Sequence, residues 1–375
     1  MAQFTYTSDT DSPTTTDDDD SELDVLNLHL GDPTIPPNIR ENKLCRRCSQ
    51  IYSTSHFDSA RFHPVDKLAT RRCFFCQYIF RMSNIEPKLY ERIPTNEYAV
   101  LDAAPSEYTL RIGEREQASI YSDEHNPTRI RFTPSIIGSE PLSPDLVRGW
   151  LAKCESQHTS CNAAPSSRIV KINLIDVDRL CIISDFTSAR YIALSYVVGG
   201  QPSLQLTTKN TTRLRKENAL APDALNETYR PNIAKVVQDA ITLAKSINEK
   251  FLWADCLCIV QDDAVSKHDQ IMSMDIIYSQ AILTIVSVSG TDLNCGLPGI
   301  RPGSRRPLDL TVEVNGNRLL AQPPDLRQIL AASPYDSRGW TFQERILSPR
   351  CVYLCNWQAY FQCHTSIQSE YNSAP

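Results

Sequence analysis

The 375-residue chain contains no apolar run approaching the roughly 18–20 residues that would span a bilayer. Its first residues, Met1 to Thr16, carry neither a basic n-region nor an apolar stretch, so no secretory signal is expected. Residues 1–24 contain no lysine or arginine but eight acids: Asp9, Asp11, Asp17, Asp18, Asp19, Asp20, Glu22 and Asp24. The remaining residues hold 36 acids and 38 bases, a net of +2. That near-neutrality argues against a nucleic-acid binder held by a basic footprint. Also missing are G-x-G-x-x-G, G-x4-G-K-[ST], H-E-x-x-H and G-x-S-x-G. Their absence removes the common dehydrogenase, P-loop, zincin and serine-hydrolase readings. No internal repeat is present.

What is there is enough for a folded protein. Apolar residues make up 41 % of the chain, sufficient for a sizeable core, and the length fits two or three domains. The cysteines number 13, an odd count. Without an export signal, they are expected as thiols or metal ligands in a reducing, cytoplasmic setting rather than as a disulfide framework.

Four regions are expected. Residues 1–43, rich in Asp, Ser, Thr and Pro, read as a disordered acidic tail. Residues 44–168 form a Cys-rich α+β segment, 169–365 an α/β domain, and 366–375 a short C-terminal tail. In the second region, a helix begins at Gln77–Met82, and strands are predicted at Tyr98–Leu101, Tyr108–Ile112 and Arg129–Phe132. A helix follows over Leu142–His158, with Ser143 as N-cap and Pro144 at its first position. From 169 onward the pattern predicts alternating strands and helices. Strands are expected at Tyr191–Tyr196, Phe251–Val260 and Ala281–Val288, and helices at Asn232–Asn248 and Ala264–Ser279. Near-continuous apolar strands alternating with helices indicate parallel βαβ units. Leu308–Val314 and Arg318–Ala321 flank Asn315-Gly316, a hairpin signal. A short helix at Gly339–Leu347 and strands at Cys351–Cys355 and Ala359–Cys363 close the pattern.

Two pairs, Cys45-x-x-Cys48 and Cys73-x-x-Cys76, bracket 24 residues. Four thiolates so spaced suit structural zinc, while packed thiols in a small core are the alternative. Cys154, His158 and Cys161 form a C-x3-H-x2-C cluster that would need a fourth ligand from elsewhere. Its plain reading is a helix-terminal histidine beside packed cysteines.

Asp255 and Asp262 lie in or just after a predicted buried strand, where open α/β sheets put functional groups, though Asp262 and Asp263 can equally cap the next helix. Trp340 and Glu344 share a helical face. An acid beside a large aromatic can have a raised pKa, and Glu344 paired to Arg338 or Arg345 beside a core Trp is the structural counterpart.

The segment Tyr191-Ile-Ala-Leu-Ser-Tyr-Val-Val-Gly199 resembles the opening motif of the heterokaryon-incompatibility (HET) domain. Phe251-Leu-Trp-Ala-Asp-Cys-Leu-Cys-Ile-Val-Gln-Asp262, continued by Gln270-Ile-Met-Ser-Met-Asp-Ile-Ile-Tyr278, resembles the second, and Arg338-Gly-Trp-Thr-Phe-Gln-Glu-Arg-Ile-Leu-Ser348 the third. Val198 stands where the family usually has Trp before the Gly, and Ala254 where it usually has Ile. The resemblance implies a fungal protein of non-self recognition and programmed cell death. It acts either as a signalling module binding a protein partner or itself, or as an enzyme. It also implies a distant likeness to TIR domains, which have flavodoxin-like sheets and in some cases cleave NAD with a helical Glu in an S-x-x-W-x-x-x-E-like motif. Ser337, Trp340 and Glu344 match that spacing. On this reading Glu344 is catalytic, Trp340 holds its helix or lines the pocket, and Asp255 and Asp262 are polar contacts. Ser195, Tyr196 and Gly199 of the first motif are the candidate cofactor contacts.

Overall fold

The computed structural model describes residues 141–162, 167–200, 202–221, 232–305, 326–336, 338–356 and 358–370. It also describes the strands at 59–64, 98–104, 107–112, 115–122, 311–314 and 317–322, and the single residues Cys48, Cys73, Cys76 and Ile79. The acidic tail, Cys45, the expected strand Arg129–Phe132, the turn Asn315-Gly316 and Ser337 lie outside the described residues. So does most of the helix expected at Gln77–Met82, although Cys76 and Ile79 are helical.

In chain order the elements begin with β1 (Ser59–Pro64), β2 (Tyr98–Ala104), β3 (Glu107–Ile112) and β4 (Arg115–Ser122), followed by α1 (Pro144–Gln157). Next come β5 (Lys171–Asp176), β6 (Cys181–Phe186), β7 (Ile192–Ser195), α2 (Thr211–Leu214), α3 (Lys235–Ser246) and β8 (Phe251–Trp253). Then follow α4 (Asp255–Cys258), α5 (Ala264–Ile271), α6 (Met274–Gln280), β9 (Leu283–Ser287), β10 (Thr311–Val314) and β11 (Asn317–Gln322). The chain closes with α7 (Leu326–Ala332), α8 (Gly339–Leu347), β12 (Arg350–Leu354), β13 (Ala359–Cys363) and β14 (Ile367–Ser369). None of the described helices is long and apolar enough to cross a membrane.

An eight-stranded mixed sheet, ordered β14-β13-β12-β9-β7-β8-β5-β6, carries the core. Its four central strands β12, β9, β7 and β8 are parallel. Both margins are antiparallel, through β13 and β14 at one side and β5 and β6 at the other. The sheet is thus parallel only where helical crossovers feed it, and hairpins finish it. Numbered along the chain, the parallel strands run 2-1-3-4, the order of doubly wound flavodoxin-like sheets. The reversal falls between β7 and β9, whose Ser195 and Val286 are register partners.

A second sheet of six antiparallel strands is ordered β1-β2-β3-β4-β11-β10. The predicted hairpin forms, and β11 pairs with β4 from Leu319↔Ser122 to Gln322↔Ser119. A hairpin that follows the parallel strand β9 in the chain therefore completes a sheet begun by residues 59–122.

Helix α1 buries Val147, Trp150, Leu151 and Cys154, at the i, i+3, i+4, i+7 spacing that one face requires. Trp150 stacks on Phe361 of β13 with ring centroids 6.0 Å apart. Helix α3 buries Val236, Val237, Ala240, Ile241, Leu243 and Ala244. Full burial of each larger aliphatic side chain stabilises the fold by about 1.5–3 kcal/mol.

Two expectations are corrected. The strand expected over Phe251–Val260 ends at Trp253. The next residues form a helical turn, in which Cys258 N donates to Ala254 O at 2.8 Å and Cys256 N to the Asp255 Oδ1 at 2.7 Å. Local bonds from an aspartate to the backbone have replaced ladder bonds. The single helix expected over Ala264–Ser279 is two, broken at Met272 and Ser273. There the Ser273 hydroxyl back-bonds to Asp269 O at 2.8 Å.

Candidate functional site

Open α/β sheets bind ligands outside the carboxyl ends of their strands, at the point where the strand order reverses. Here that point is the end of β7. Ser195, its last residue, lies beside β9, and the first turn of α4 follows the end of β8. Right-handed crossovers put α3 on one face of the sheet and α6 and α8 on the other, and α6 packs against α8. The side chains of these elements converge.

The Ser195 hydroxyl donates to the Glu344 carboxylate on α8. It also meets the Tyr335 hydroxyl at 2.5 Å. Tyr335 in turn holds the start of α8: its hydroxyl lies 3.2 Å from Thr341 O, and the Thr341 hydroxyl donates to Tyr335 O at 2.5 Å. At the far end of α8, Ser348 Oγ donates to Glu344 O at 2.7 Å and meets Thr284 Oγ1 of β9 at 2.6 Å. Tyr278 on α6, buried and bonded to Leu194 O at 3.1 Å, also contacts the Glu344 carboxyl. Next to this group the Tyr196 hydroxyl donates to Asp255.

Burial, aided by the nearby Asp255 carboxylate, pushes the Glu344 pKa up to about 7, against the hydrogen bonds from Ser195 and Tyr278 and the charge of Arg338. Burial also raises Asp255, opposed by the Tyr196 hydroxyl and the Cys256 N–H. Tyr278 and Tyr335 are driven well above the usual phenol range by burial first and by the Glu344 charge second. Neither Glu344 nor Asp255 has an ion-pair partner among the described residues. A carboxyl titrating near neutrality can hold or release a proton under ordinary conditions, as acid–base work requires.

Of the residues singled out in the sequence, Ser195, Tyr196, Asp255 and Glu344 are therefore neighbours. Three others stand apart. Trp340, in the first turn of α8, is 55 % exposed and so is not part of the core. Asp262 is exposed and bound to Thr208, accepting from its N at 2.7 Å and its hydroxyl at 2.8 Å, which lowers its pKa. Gly199 adopts a φ of +64°, and a Cβ there would lie 2.5 Å from the Cβ of Asp292, so the position serves close backbone approach. Asp263 caps α5 by accepting from Ser266 N at 3.1 Å. The two tyrosines were missed. Tyr278 carried a signal, a polar tip within an apolar run that must find a partner once buried. Tyr335 carried none.

A cleft of about 450 Å³ lies over β5 and β6, lined among others by Lys171, Asn173, Ser184, Arg215 and Asp263. It includes no member of the Glu344 group.

Of the first four cysteines, Cys48, Cys73 and Cys76 are buried and their sulfurs lie within 4.8 Å of one another, with Cys48 and Cys76 at 3.5 Å. Such a group could hold a metal ion.

Compared with known families, residues 191–344 match the model of heterokaryon incompatibility protein (HET). No curated protein and no solved structure matches the chain significantly. The match begins at Tyr191, just before β7, and ends at Glu344 itself, so it encloses Ser195, Tyr196, Asp255, Tyr278, Tyr335 and Glu344.

Proposed function

With residues 191–344 forming a heterokaryon-incompatibility domain, we propose that the chain acts in fungal non-self recognition and programmed cell death as a cytoplasmic signalling module that binds a protein partner or itself. The observation that carries this reading is the orientation of α8. Its polar Thr341 and Glu344 turn inward, while Trp340, Phe342 and Ile346 are 55 %, 50 % and 61 % exposed. An ordinary amphipathic helix does the opposite. Phe342 and Ile346, four residues apart, share one face of the helix, and apolar side chains left exposed together in this way mark protein-interaction surfaces. Structural zinc at Cys45, Cys48, Cys73 and Cys76 belongs to the same reading, supported by the proximity of the last three.

The test is induced expression in a filamentous fungus, with sedimentation of the purified protein alongside. Wild type should trigger death and associate. The double variant Trp340→Ser, Phe342→Ser should stay folded and do neither. If the variant kills and associates like wild type, the surface reading fails.

A second reading is favoured by the Glu344 group at the strand-order reversal. Here the domain is TIR-like and cleaves NAD at the nicotinamide bond. Glu344 would stabilise the oxocarbenium-like ribose or orient its hydroxyls as nicotinamide leaves, with Asp255 as a neighbouring polar contact. NAD turnover across a concentration series, with Glu344→Gln alongside, tests it. Turnover in wild type and none in the variant supports the enzyme. No turnover at any concentration from folded protein removes it.

A further inference from the structure

Cys154, His158 and Cys161 came from the sequence as three ligands lacking a fourth. The fold supplies it. Cys363, the last residue of β13, meets His158 with its Sγ 3.3 Å from Nδ1. The ligand atoms of Cys154, His158, Cys161 and Cys363 all lie within 4.8 Å of one another, and the three cysteines are buried. A tetrahedral zinc ion with Zn–S bonds of about 2.3 Å needs ligand atoms about 3.7 Å apart, so a small inward movement closes the set.

Charge provides a second and independent observation. Arg350, the first residue of β12, is 5 % exposed and has no carboxylate partner among the described residues. Its Nε points at Cys154 Sγ at 3.1 Å. The rest of the guanidinium is spent on neutral oxygens: Cys161 O at 3.1 Å, Ile282 O at 3.4 Å and Asn162 Oδ1. A buried cation needs a compensating anion. Three thiolates and a neutral imidazole around a divalent ion carry one net negative charge, which one guanidinium neutralises. Thiols alone would leave Arg350 uncompensated.

We propose that Cys154, His158, Cys161 and Cys363 form a closed structural zinc site, with Arg350 as its charge-balancing partner, that fastens α1 and the turn after it to the margin of the eight-stranded sheet. All four positions are filled by protein, so no place remains for a substrate, and the role is to join two parts of the chain some 200 residues apart.

The experiment is metal analysis of the full chain purified under reducing conditions. Cys363→Ser and His158→Ala should each lower bound zinc by one equivalent relative to wild type. Cys161→His, which exchanges one zinc ligand for another, should keep that equivalent, whereas Cys161→Ser should lose it; a role in packing alone would not separate the two. Should the serine variants fail to fold, cobalt substitution decides. The Cys73→Ser chain, whose other cysteine cluster is broken, should still show tetrahedral cobalt–thiolate absorption. Zinc content unchanged in folded Cys363→Ser and His158→Ala, wild type free of zinc, or no such absorption in the cobalt-grown Cys73→Ser chain would overturn the proposal.

Discussion

Among the described residues, two carboxyl groups around Glu344 are drawn into the protein with no ion-pair partner, and around Arg350 a guanidinium is drawn in with no acidic one. Two other buried charges among the described residues are paired. Asp239 is matched by Arg301, whose Nε lies 2.9 Å away, and Arg305 by Glu370. The paired sites are explained by stability alone. The two unmatched sites each need something further: a proton shared with solvent at Glu344, and an anion made of thiolates at Arg350.

The contrast can be broken most forcefully at Arg350. Arg350→Met should destabilise the chain by about 3–5 kcal/mol in urea unfolding, the loss typical of stranding one half of a buried charge pair. A loss below about 1 kcal/mol would mean that the guanidinium neutralises nothing.

Glu344→Gln should act in the opposite direction and depend on pH. The folded carboxyl titrates at about 7, above its ordinary 4.5, so folding favours the protonated form. The associated stability is fully present below pH 4.5 and is lost as pH rises through 7. A permanently neutral Gln escapes that loss. The variant should match wild type near pH 4.5 and exceed it by about 3 kcal/mol at pH 8, measured by thermal unfolding at both. Equal stability at both pH values would show that Glu344 is not held near neutrality.

Ser195→Ala sharpens the picture at smaller scale. It removes the hydroxyl that steadies the carboxylate, so the Glu344 pKa should rise further and stability at pH 7 should fall by about 1–2 kcal/mol. Titration of the Glu344 carboxyl by NMR is the direct check. The smallest change in stability, within about 0.5 kcal/mol, is expected for Trp340→Ser, Phe342→Ser outside both sites. Its effect should fall on association instead.

The central architecture was legible because its signals are local. The apolar runs, their helical spacing and the motif order located β7, α3, β9 and α8 within a few residues. What was not legible depended on pairing at a distance. Nothing near Asp255 announces that the strand ends two residues before it, because local aspartate–backbone bonds compete with a ladder the sequence does not reveal. The antiparallel margins were hidden for the same reason. At the candidate site, Glu344 and Ser195 were each visible in their own motifs, but their hydrogen bond spans 149 positions. Cys363 could not be joined to Cys154 and His158 until β13 lay beside α1. Trp340 drew attention as a large aromatic one turn from an acid, yet helical spacing alone does not say which face of α8 meets the protein.

The pairing of β4 with β11 also sets a schedule for the growing chain. Strand β4 leaves the ribosome roughly 200 residues before its partner, an interval of about 10–40 s at ordinary synthesis rates. Throughout that time the β1–β4 meander has an unpaired margin able to recruit any extended segment, including the same strand of a neighbouring nascent chain. Crowding of ribosomes on one message, rather than the stability of the finished protein, would then govern how much of it reaches its native form.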